Sequence, residues 1–161
     1  SKYYDLIYSD KNYATEVNYV ESLFQNKTRC KNILEFGCGT GIHANLLAEK
    51  NYIVHGIDSS LEMIKIASEK TNGLNEKHLN KVSFECSDIR DFKFDKKYDN
   101  IISLFHVICY LNSDKDVEDT FTNAYVQLKK GGSFIFDIWY APSMLAEGLS
   151  VRFKTLESSI Y

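Results

Sequence analysis

Three closely spaced glycines in this chain have the spacing of a turn that binds an anionic ligand through its backbone N–H groups. Residues 33–43 read Ile-Leu-Glu-Phe-Gly-Cys-Gly-Thr-Gly-Ile-His, so an apolar run is followed by Gly37, Gly39 and Gly41. Glycine adopts positive φ without steric cost and allows a ligand to approach the backbone closely. A helix that begins directly after such a turn offers unpaired N–H groups and a positive dipole end to a carboxylate or phosphate. The stretch predicts a strand, a ligand-binding turn and a helix start.

Asp58 is the residue best placed to bind hydroxyl groups beside that turn. It follows the apolar segment 52–57, 17 residues beyond Gly41. In α/β folds that bind nucleosides, an acid at this point takes both ribose hydroxyls, and a carboxylate can accept two hydrogen bonds at once. We expect Asp58 at the solvent-facing lip of the cleft, with little effect on the stability of the unliganded protein. The alternative is an ordinary acid at a helix start, where Ser59 and Glu62 can form a capping box.

The glycine spacing resembles motif I of the class I S-adenosylmethionine-dependent methyltransferases, which reads Glu-Phe-Gly-Cys-Gly-Thr-Gly at residues 35–41. The dinucleotide fingerprint of NAD enzymes needs Gly-x-Gly-x-x-Gly instead, and position 42 is Ile. The resemblance implies S-adenosylmethionine as the cofactor and S-adenosylhomocysteine as its product. The cofactor-binding residues expected on this basis are Glu35, Gly37, Cys38, Gly39, Gly41, Asp58, Ser59, Met63, Asp88, Ile89 and Phe105.

Asp88 and Ile89 enter that set by their position after the alternating segment 82–86. In the family that the chain resembles, an acid just after the third strand receives the adenine amino group. The backbone of the next residue faces the adenine ring. Ser-Asp after a strand is also ordinary turn chemistry, so this part of the resemblance is less specific than motif I.

The candidates for catalysis are His106, Tyr110 and Tyr8. Some family members carry Asn/Asp-Pro-Pro-Tyr/Phe after the fourth strand, but this chain has Ser-Leu-Phe-His at 103–106, which disfavours adenine and glutamine methylation.

Methyl transfer from a sulfonium is an in-line displacement, and alignment alone can lower its barrier by roughly 7–11 kcal/mol. His106 could act as a general base or be a packing residue, and the two readings carry equal weight. Tyr8, Phe105 and Tyr110 could form an aromatic cradle for the sulfonium and the acceptor.

Looser features make the chain similar to small-molecule N-methyltransferases that act on amino sugars carried by nucleotides. They are Tyr-Asp-Leu-Ile-Tyr at 4–8, the stretch 105–111 and the aromatic pair at 139–140. The resemblance implies a small-molecule amine as the methyl acceptor. Two alternatives are a non-catalytic S-adenosylmethionine-binding domain or partner subunit, and an NAD-type oxidoreductase, which Ile42 opposes.

The elements that must position these residues alternate between strand and helix patterns along the chain. We expect strands at 32–36, 52–57, 82–86, 98–106 and 133–137, and a helix at 12–25 among the connecting helices. A further helix capped by Ser113 should end at Lys-Lys-Gly-Gly, with an apolar face of Val117, Phe121, Ala124, Tyr125 and Leu128. The fold class is therefore α/β, a doubly wound, mostly parallel Rossmann-like sheet of the class I methyltransferase type. Ligands in such sheets bind beyond the carboxyl ends of the strands.

Composition narrows the function classes. The chain has 161 residues, of which 44% are hydrophobic, and a net charge of −3, so we expect one domain and no nucleic-acid partner. It has no apolar run of membrane length and no signal peptide, which predicts no membrane partner. Its four cysteines lack the spacing of metal ligands, which predicts no metal and a cytoplasmic location. A homodimer is possible but is not readable from the sequence.

The single domain 1–161 divides into three parts. Residues 1–28 form an N-terminal aromatic segment and helix, 29–140 the cofactor-binding core, and 141–161 the start of a substrate-side region. The methyltransferase fold usually ends with an antiparallel hairpin, and here only 151–155 alternates as a further strand. We expect an incomplete hairpin, in a chain that is either a fragment or completed by something else.

Overall fold

The computed structural model describes residues 3–24, 31–140, 142, 145, 146 and 148. The described strands are β1 (Asn32–Phe36), β2 (Ile53–Asp58), β3 (Val82–Cys86), β4 (Tyr98–Ser103) and β5 (Leu128–Phe136). The described helices are α1 (Tyr4–Ile7), α2 (Tyr13–Leu23), α3 (Ile42–Glu49), α4 (Leu61–Thr71), α5 (Glu76–Leu79) and α6 (Asp114–Gln127), with a 3₁₀ turn at Val107–Tyr110. The strand predicted at 151–155 lies outside the described residues.

The five strands form one sheet in the order β3-β2-β1-β4-β5, and every neighbouring pair is parallel. All five strands therefore end at the same edge of the sheet. The chain order of the strands reverses at β1, which lies between β2 and β4. Open α/β sheets bind their ligands at such a switch point. The predicted doubly wound fold is confirmed.

β1 lies at the centre of the hydrophobic core. Ile33, Leu34 and Phe36 are fully buried, and alternate residues of the strand enter different clusters. Ile33 packs with residues of α2 and α3, whereas Leu34 and Phe36 pack with residues from β2, β4 and α6. Because both faces of β1 are covered, its carboxyl end is held firmly at the point where the glycine turn begins.

β4 is shorter than predicted. It ends at Ser103, and the backbone of Phe105 and His106 is left-handed, with φ of 70° and 62°. Two successive left-handed residues turn the chain away from the sheet, so the predicted span 98–106 is wrong at its carboxyl end. Phe gives no local signal for this turn and His only a weak one, since histidine is moderately enriched in the left-handed region whereas phenylalanine is not.

The junction of α6 and β5 also differs from the prediction. Ser113 caps α6 as expected, accepting a hydrogen bond from the Asp116 N–H. The helix ends at Gln127 and the next residue already begins β5, so the Lys-Lys-Gly-Gly stretch belongs to the strand. Lys129 pairs with Asp99 at 2.7 Å instead of capping the helix. The predicted apolar face is wrong in part, because Tyr125 is 81% exposed and the buried residues of α6 include Thr120, Asn123 and Gln127.

The start of α4 needs one correction as well. Ser60, one residue later than predicted, is its N-cap, and its side chain accepts a hydrogen bond from the Met63 N–H. Ser59 is thereby released from a capping role and lies at the surface of the neighbouring cavity.

Two further findings hold for the described residues. None of their helices is long and apolar enough to cross a membrane. Nor do they bring three or more histidine, cysteine or acidic side chains together in a group that could hold a metal ion.

Candidate functional site

A cavity of about 440 Å³ opens at the carboxyl edge of the sheet, a size typical of small-molecule sites. It is bordered by the glycine turn after β1 and by the segments that follow β2, β3 and β4. It brings together most of the residues predicted from the sequence, namely Tyr8, Gly37, Gly39, Asp58, Ser59, Met63, Asp88, Ile89, Phe105 and Tyr110.

The glycine turn supplies the floor of this cavity. Gly37 has a φ of 66°, and a Cβ there would lie 2.5 Å from the Val107 side chain, so only glycine fits. Gly39 has a φ of 53°, and a Cβ on it would meet no atom within 4 Å. The space above Gly39 is therefore open, which is the arrangement that lets a ligand lie against the backbone.

Asp58 links the glycine turn to α4. One carboxylate oxygen accepts the Gly39 N–H at 2.9 Å and the other accepts the Ser60 N–H at 2.8 Å. Each oxygen retains a further lone pair, so the carboxylate can still accept two hydroxyl groups from the cavity. Asp58 is half-buried rather than at the solvent-facing lip, and its two backbone bonds oppose the expectation of little effect on stability.

Asp88 also lines the cavity and is already paired. Arg90 donates to it through Nε at 2.9 Å and Nη2 at 2.6 Å, and through Nη1 to Asp116 at 2.5 Å. The hydrogen bonds from Arg90 hold the pKa of Asp88 below its usual range, so this carboxylate is an acceptor at neutral pH. A ligand amino group would have to share Asp88 with Arg90.

Aromatic rings form the wall nearest the N-terminal segment. The ring of Phe105 packs edge-on against Tyr8 at 4.7 Å and against Tyr4 at 6.3 Å between centroids. The Lys11 ammonium lies 3.7 Å from the centroid of the Phe105 ring. Burial raises the pKa of Tyr4, which keeps its hydroxyl neutral. Tyr110 lines the cavity but is 78% exposed, so it borders the mouth rather than the interior.

The N-terminal segment that carries these tyrosines is tied across the site by Asp5. Its carboxylate accepts a hydrogen bond from Thr40 Oγ1 at 2.7 Å and pairs with the Lys70 ammonium. Thr40 belongs to the glycine turn and Lys70 to α4, so α1 is joined to two elements that border the cavity.

Three predicted cofactor residues lie beneath the cavity and do not line it. Glu35 is 1% exposed, Cys38 is buried with its thiol pKa raised by burial, and Gly41 is buried at the start of α3. Cys38 borders a small adjoining pocket under the glycine turn. None of these three residues presents a side chain to the cavity, and they support the glycine turn from below.

His43 connects that buried layer to the N-terminal helix. Its Nε2 lies 3.0 Å from Glu16 in α2, and its Nδ1 lies 3.5 Å from Glu35 in β1. Burial disfavours the charged imidazole, but the hydrogen bonds to the two carboxylates outweigh it and raise the pKa of His43 to about 9. His43 is thus an imidazolium between two acids at neutral pH.

His106 follows β4 as predicted but is not among the residues that line the cavity. Its ring stacks on Trp139 with centroids 4.2 Å apart, and its Nδ1 lies 3.5 Å from Asp137. The backbone N–H groups of Phe105 and His106 both donate to the carboxylate of Asp137. A role for His106 as general base stays a prediction, and it would need a water molecule or a movement of the ring.

Several lining residues were not found from the sequence. They are Tyr4, Ser60, Ser87, Arg90, Leu104, Val107, Leu111, Asn112 and Asp116. Most are chain neighbours of predicted residues, so widening each motif by one or two positions would have included them. Asp116 belongs to α6, and its place in the cavity wall depends on the folded chain, where it pairs with Arg90.

Comparison with known proteins places this arrangement in context. Residues 33–132 match the family model described as "Methyltransferase domain". A curated relative, the dTDP-3-amino-3,4,6-trideoxy-alpha-D-glucopyranose N,N-dimethyltransferase of Streptomyces venezuelae, is 26% identical over 148 residues, which cover 90% of this chain and 59% of the relative. The malonyl-[acyl-carrier protein] O-methyltransferase of Priestia megaterium is 35% identical over 106 residues, covering 65% of this chain and 35% of the relative.

A solved structure shares the fold. It is CalS10 with SAM bound, described as an amino pentose methyltransferase from Micromonospora echinaspora, with a TM-score of 0.74 at 21% identity. The match covers 85% of this chain and 56% of CalS10. This chain spans little more than half the length of the amino-sugar relatives it matches.

Proposed function

Because this chain belongs to the methyltransferase domain family, we propose that it transfers a methyl group from S-adenosylmethionine to a small-molecule amine, with a nucleotide-linked amino sugar as the first candidate. One observation carries the proposal. The same cavity has the open Gly39 backbone and Asp58 on one side and the rings of Tyr8 and Phe105 on another. A cofactor and an acceptor can meet in it.

The residues present fit the cofactor. The uncovered Gly39 leaves room for the methionine part, the spare lone pairs of Asp58 suit the ribose hydroxyls, and Asp88 with Ile89 suits the adenine. When bound, S-adenosylmethionine supplies a methyl group on a positively charged sulfur. The protein's part is to align the acceptor with that methyl group and to exclude water, which is worth roughly 7–11 kcal/mol in favourable cases.

The choice of an amine rests on the aromatic wall and on the relatives. Aromatic faces attract cations by about 0.5–2 kcal/mol each, and the ring of Phe105, which packs against Tyr4 and Tyr8, already has the Lys11 ammonium 3.7 Å from its centroid. The named amino-sugar relatives methylate an amine, whereas the malonyl carrier-protein relative is an O-methyltransferase. A hydroxyl or carboxyl group is therefore the alternative methyl acceptor that an experiment should compare with an amine.

The test supplies the chain with S-adenosylmethionine and either a dTDP-linked amino sugar or the matching sugar with a hydroxyl in place of the amine. Mass spectrometry should detect one or two added methyl groups on the amine alone. Methylation of the hydroxyl sugar would overturn the choice of an amine. Tight S-adenosylhomocysteine binding without methylation of any acceptor would favour the alternative of a non-catalytic cofactor-binding domain or partner subunit. The single-domain division, a cytoplasmic location and a homodimer stay predictions.

A further inference from the structure

The turn after β4 is held in an unusual conformation. Among the described residues other than glycine, positive φ occurs at Asn51, Phe105 and His106 only. Asn51 and His106 are of types that tolerate this region, but Phe105 is not, and here two left-handed residues stand in succession. Such backbone persists only where the surroundings impose it, and it is concentrated at functional sites. The Phe105 ring lines the cavity, so the strained turn directly sets one of its walls.

The contacts that impose this conformation come from one side chain. Asp137 Oδ2 accepts the Phe105 N–H at 3.1 Å, and Asp137 Oδ1 accepts the His106 N–H at 2.7 Å. Asp137 stands just beyond β5, and its own N–H donates to the Ser103 carbonyl at 3.3 Å, which extends the pairing of β4 with β5 by one bond. The carboxylate is thereby fixed by the sheet itself.

We propose that Asp137 is a positioning residue for the active site. It does not line the cavity, and it acts through the two N–H groups that it accepts. By holding Phe105 and His106 in the left-handed region it places the Phe105 ring beside Tyr8. It also directs the chain so that Val107 packs over Gly37. The proposal rests on the proposed function only in taking this cavity as the cofactor site.

A purely structural role is the competing explanation, and the chain offers a matched control for it. Asp99 also accepts two successive backbone N–H groups, those of Lys31 and Asn32, at 3.0 and 2.9 Å. It stands near the start of β4, at the opposite edge of the sheet from the cavity. Removing its charge should cost stability without changing the cavity.

The first experiment compares Asp137→Asn with Asp99→Asn. Asparagine has the same size as aspartate but only one acceptor oxygen, and its NH₂ group opposes the second N–H. We expect Asp137→Asn to speed hydrogen exchange at the amides of Phe105 and His106 and to weaken S-adenosylhomocysteine binding, measured by calorimetry, about tenfold. Asp99→Asn should change the dissociation constant by less than about twofold, even where it lowers the melting temperature as much.

The second experiment tests the mechanism by rescue. Glycine adopts positive φ freely, so His106→Gly lowers the cost of the left-handed conformation at one of the two residues that Asp137 holds. In the His106→Gly background, the effect of Asp137→Asn on S-adenosylhomocysteine binding should shrink from about tenfold to about threefold or less. If Asp137→Asn alone does not fold, the effect of this substitution on affinity can still be measured in the His106→Gly protein.

Two results would overturn the proposal. One is an equal loss of affinity in Asp137→Asn and Asp99→Asn, and the other is an undiminished loss in the glycine background. If the unaltered chain bound no S-adenosylhomocysteine, the proposed function would fail instead. Hydrogen exchange at Phe105 and His106 would then still decide whether Asp137 holds the turn.

Discussion

Asp58 accepts hydrogen bonds from the backbone of the glycine turn and of the start of α4, which meet at the cavity. The sequence predicts that it binds the ribose hydroxyls, and this role stays a prediction for a residue that lines the cavity. Its bonds to Gly39 and Ser60 could not be inferred, because they depend on how the glycine turn closes against α4. A residue of this kind contributes both to the fold and to ligand binding, and substitution should reveal both contributions.

We predict that Asp58→Ala weakens S-adenosylmethionine binding by about 1.5–3 kcal/mol, the range for hydrogen bonds to a charged group. It should also lower the free energy of unfolding of the unliganded protein by about 1–3 kcal/mol, because two N–H groups lose their acceptor. Calorimetry and denaturant titration measure the two effects. Unchanged affinity would refute the ribose assignment, and unchanged stability would refute the structural one.

Gly39 and Gly41 allow a paired prediction. Both have positive φ, so alanine is strained by about 1–2 kcal/mol at either position. A Cβ at Gly41 would lie 2.6 Å from Phe84, whereas a Cβ at Gly39 would enter the open cavity. Gly41→Ala should therefore destabilise the protein more, by about a further 1–3 kcal/mol, and Gly39→Ala should weaken S-adenosylhomocysteine binding more. Thermal unfolding and calorimetry on both variants check this, and the reverse order would contradict it.

His106 is the residue whose predicted role the cavity supports least, because its ring faces Trp139 and does not line the cavity. Asparagine tolerates positive φ, so His106→Asn keeps the turn while removing the imidazole. A general base contributes 10²–10⁴-fold, and we expect this variant to lower turnover by less than about tenfold. Turnover measured across the acceptor amine's pKa decides the matter. A loss above about a hundredfold, with unchanged cofactor affinity, would establish His106 as a base.

At the scale of elements, a network of charged side chains joins α2 to motif I. Glu16 of α2 bonds both His43 of α3 and Lys11, at 3.0 Å each, and His43 reaches Glu35 of β1. Hydrogen bonding to His43 lowers the pKa of Glu16. The chain of alternating charges ends at Lys11, whose ammonium lies over the Phe105 ring of the cavity wall. This network ties the segment that carries Tyr8 to the strand that carries the glycine turn.

The network predicts a dependence of stability on pH. The pKa of His43 is raised from 6.5 to about 9, so its contribution is fully present below pH 6.5 and is lost as pH rises through 9. The groups that face it are Glu16, Glu35 and the ring of Tyr13. The free energy of unfolding should fall between these pH values by an amount on the order of 3 kcal/mol at most.

Denaturant unfolding at several pH values between 6 and 9 measures this fall. In His43→Gln, which keeps a hydrogen-bonding side chain but cannot be charged, the curve should be flatter over the same range. An equally steep fall in that variant would show that other groups cause it.

The sequence predicted the elements well where local pattern and tertiary packing agree. β1 and β3 have the predicted bounds, because buried or alternating residues end at a glycine or a polar turn. The errors lie where tertiary bonds decide. Asp137 bends the chain after β4, and Asp99 draws Lys129 into the β5 strand. The cavity residues from α1 and α6, such as Tyr4 and Asp116, were missed for the same reason, since only the folded chain brings them beside motif I.

At the scale of the whole molecule, the described parts form one parallel sheet with a cavity at the switch point of its strand order. The N-terminal segment closes one side of that cavity through Asp5, and the turn after β4 closes another through Asp137. Residues from widely separated parts of the sequence therefore meet at one edge, as expected for a doubly wound fold. The ligand expected in this cavity is a nucleoside with a short charged tail rather than a dinucleotide.

Thermal unfolding of the chain with S-adenosyl compounds or with NAD tests this expectation most directly. S-Adenosylmethionine and S-adenosylhomocysteine should each raise the melting temperature, and NAD should not, because the spacing at Gly37, Gly39 and Gly41 lacks the third glycine of the dinucleotide fingerprint. At about a hundred times the dissociation constant, the stabilisation should reach about 2.7 kcal/mol. A shift with NAD and none with either S-adenosyl compound would contradict the assignment of this cavity.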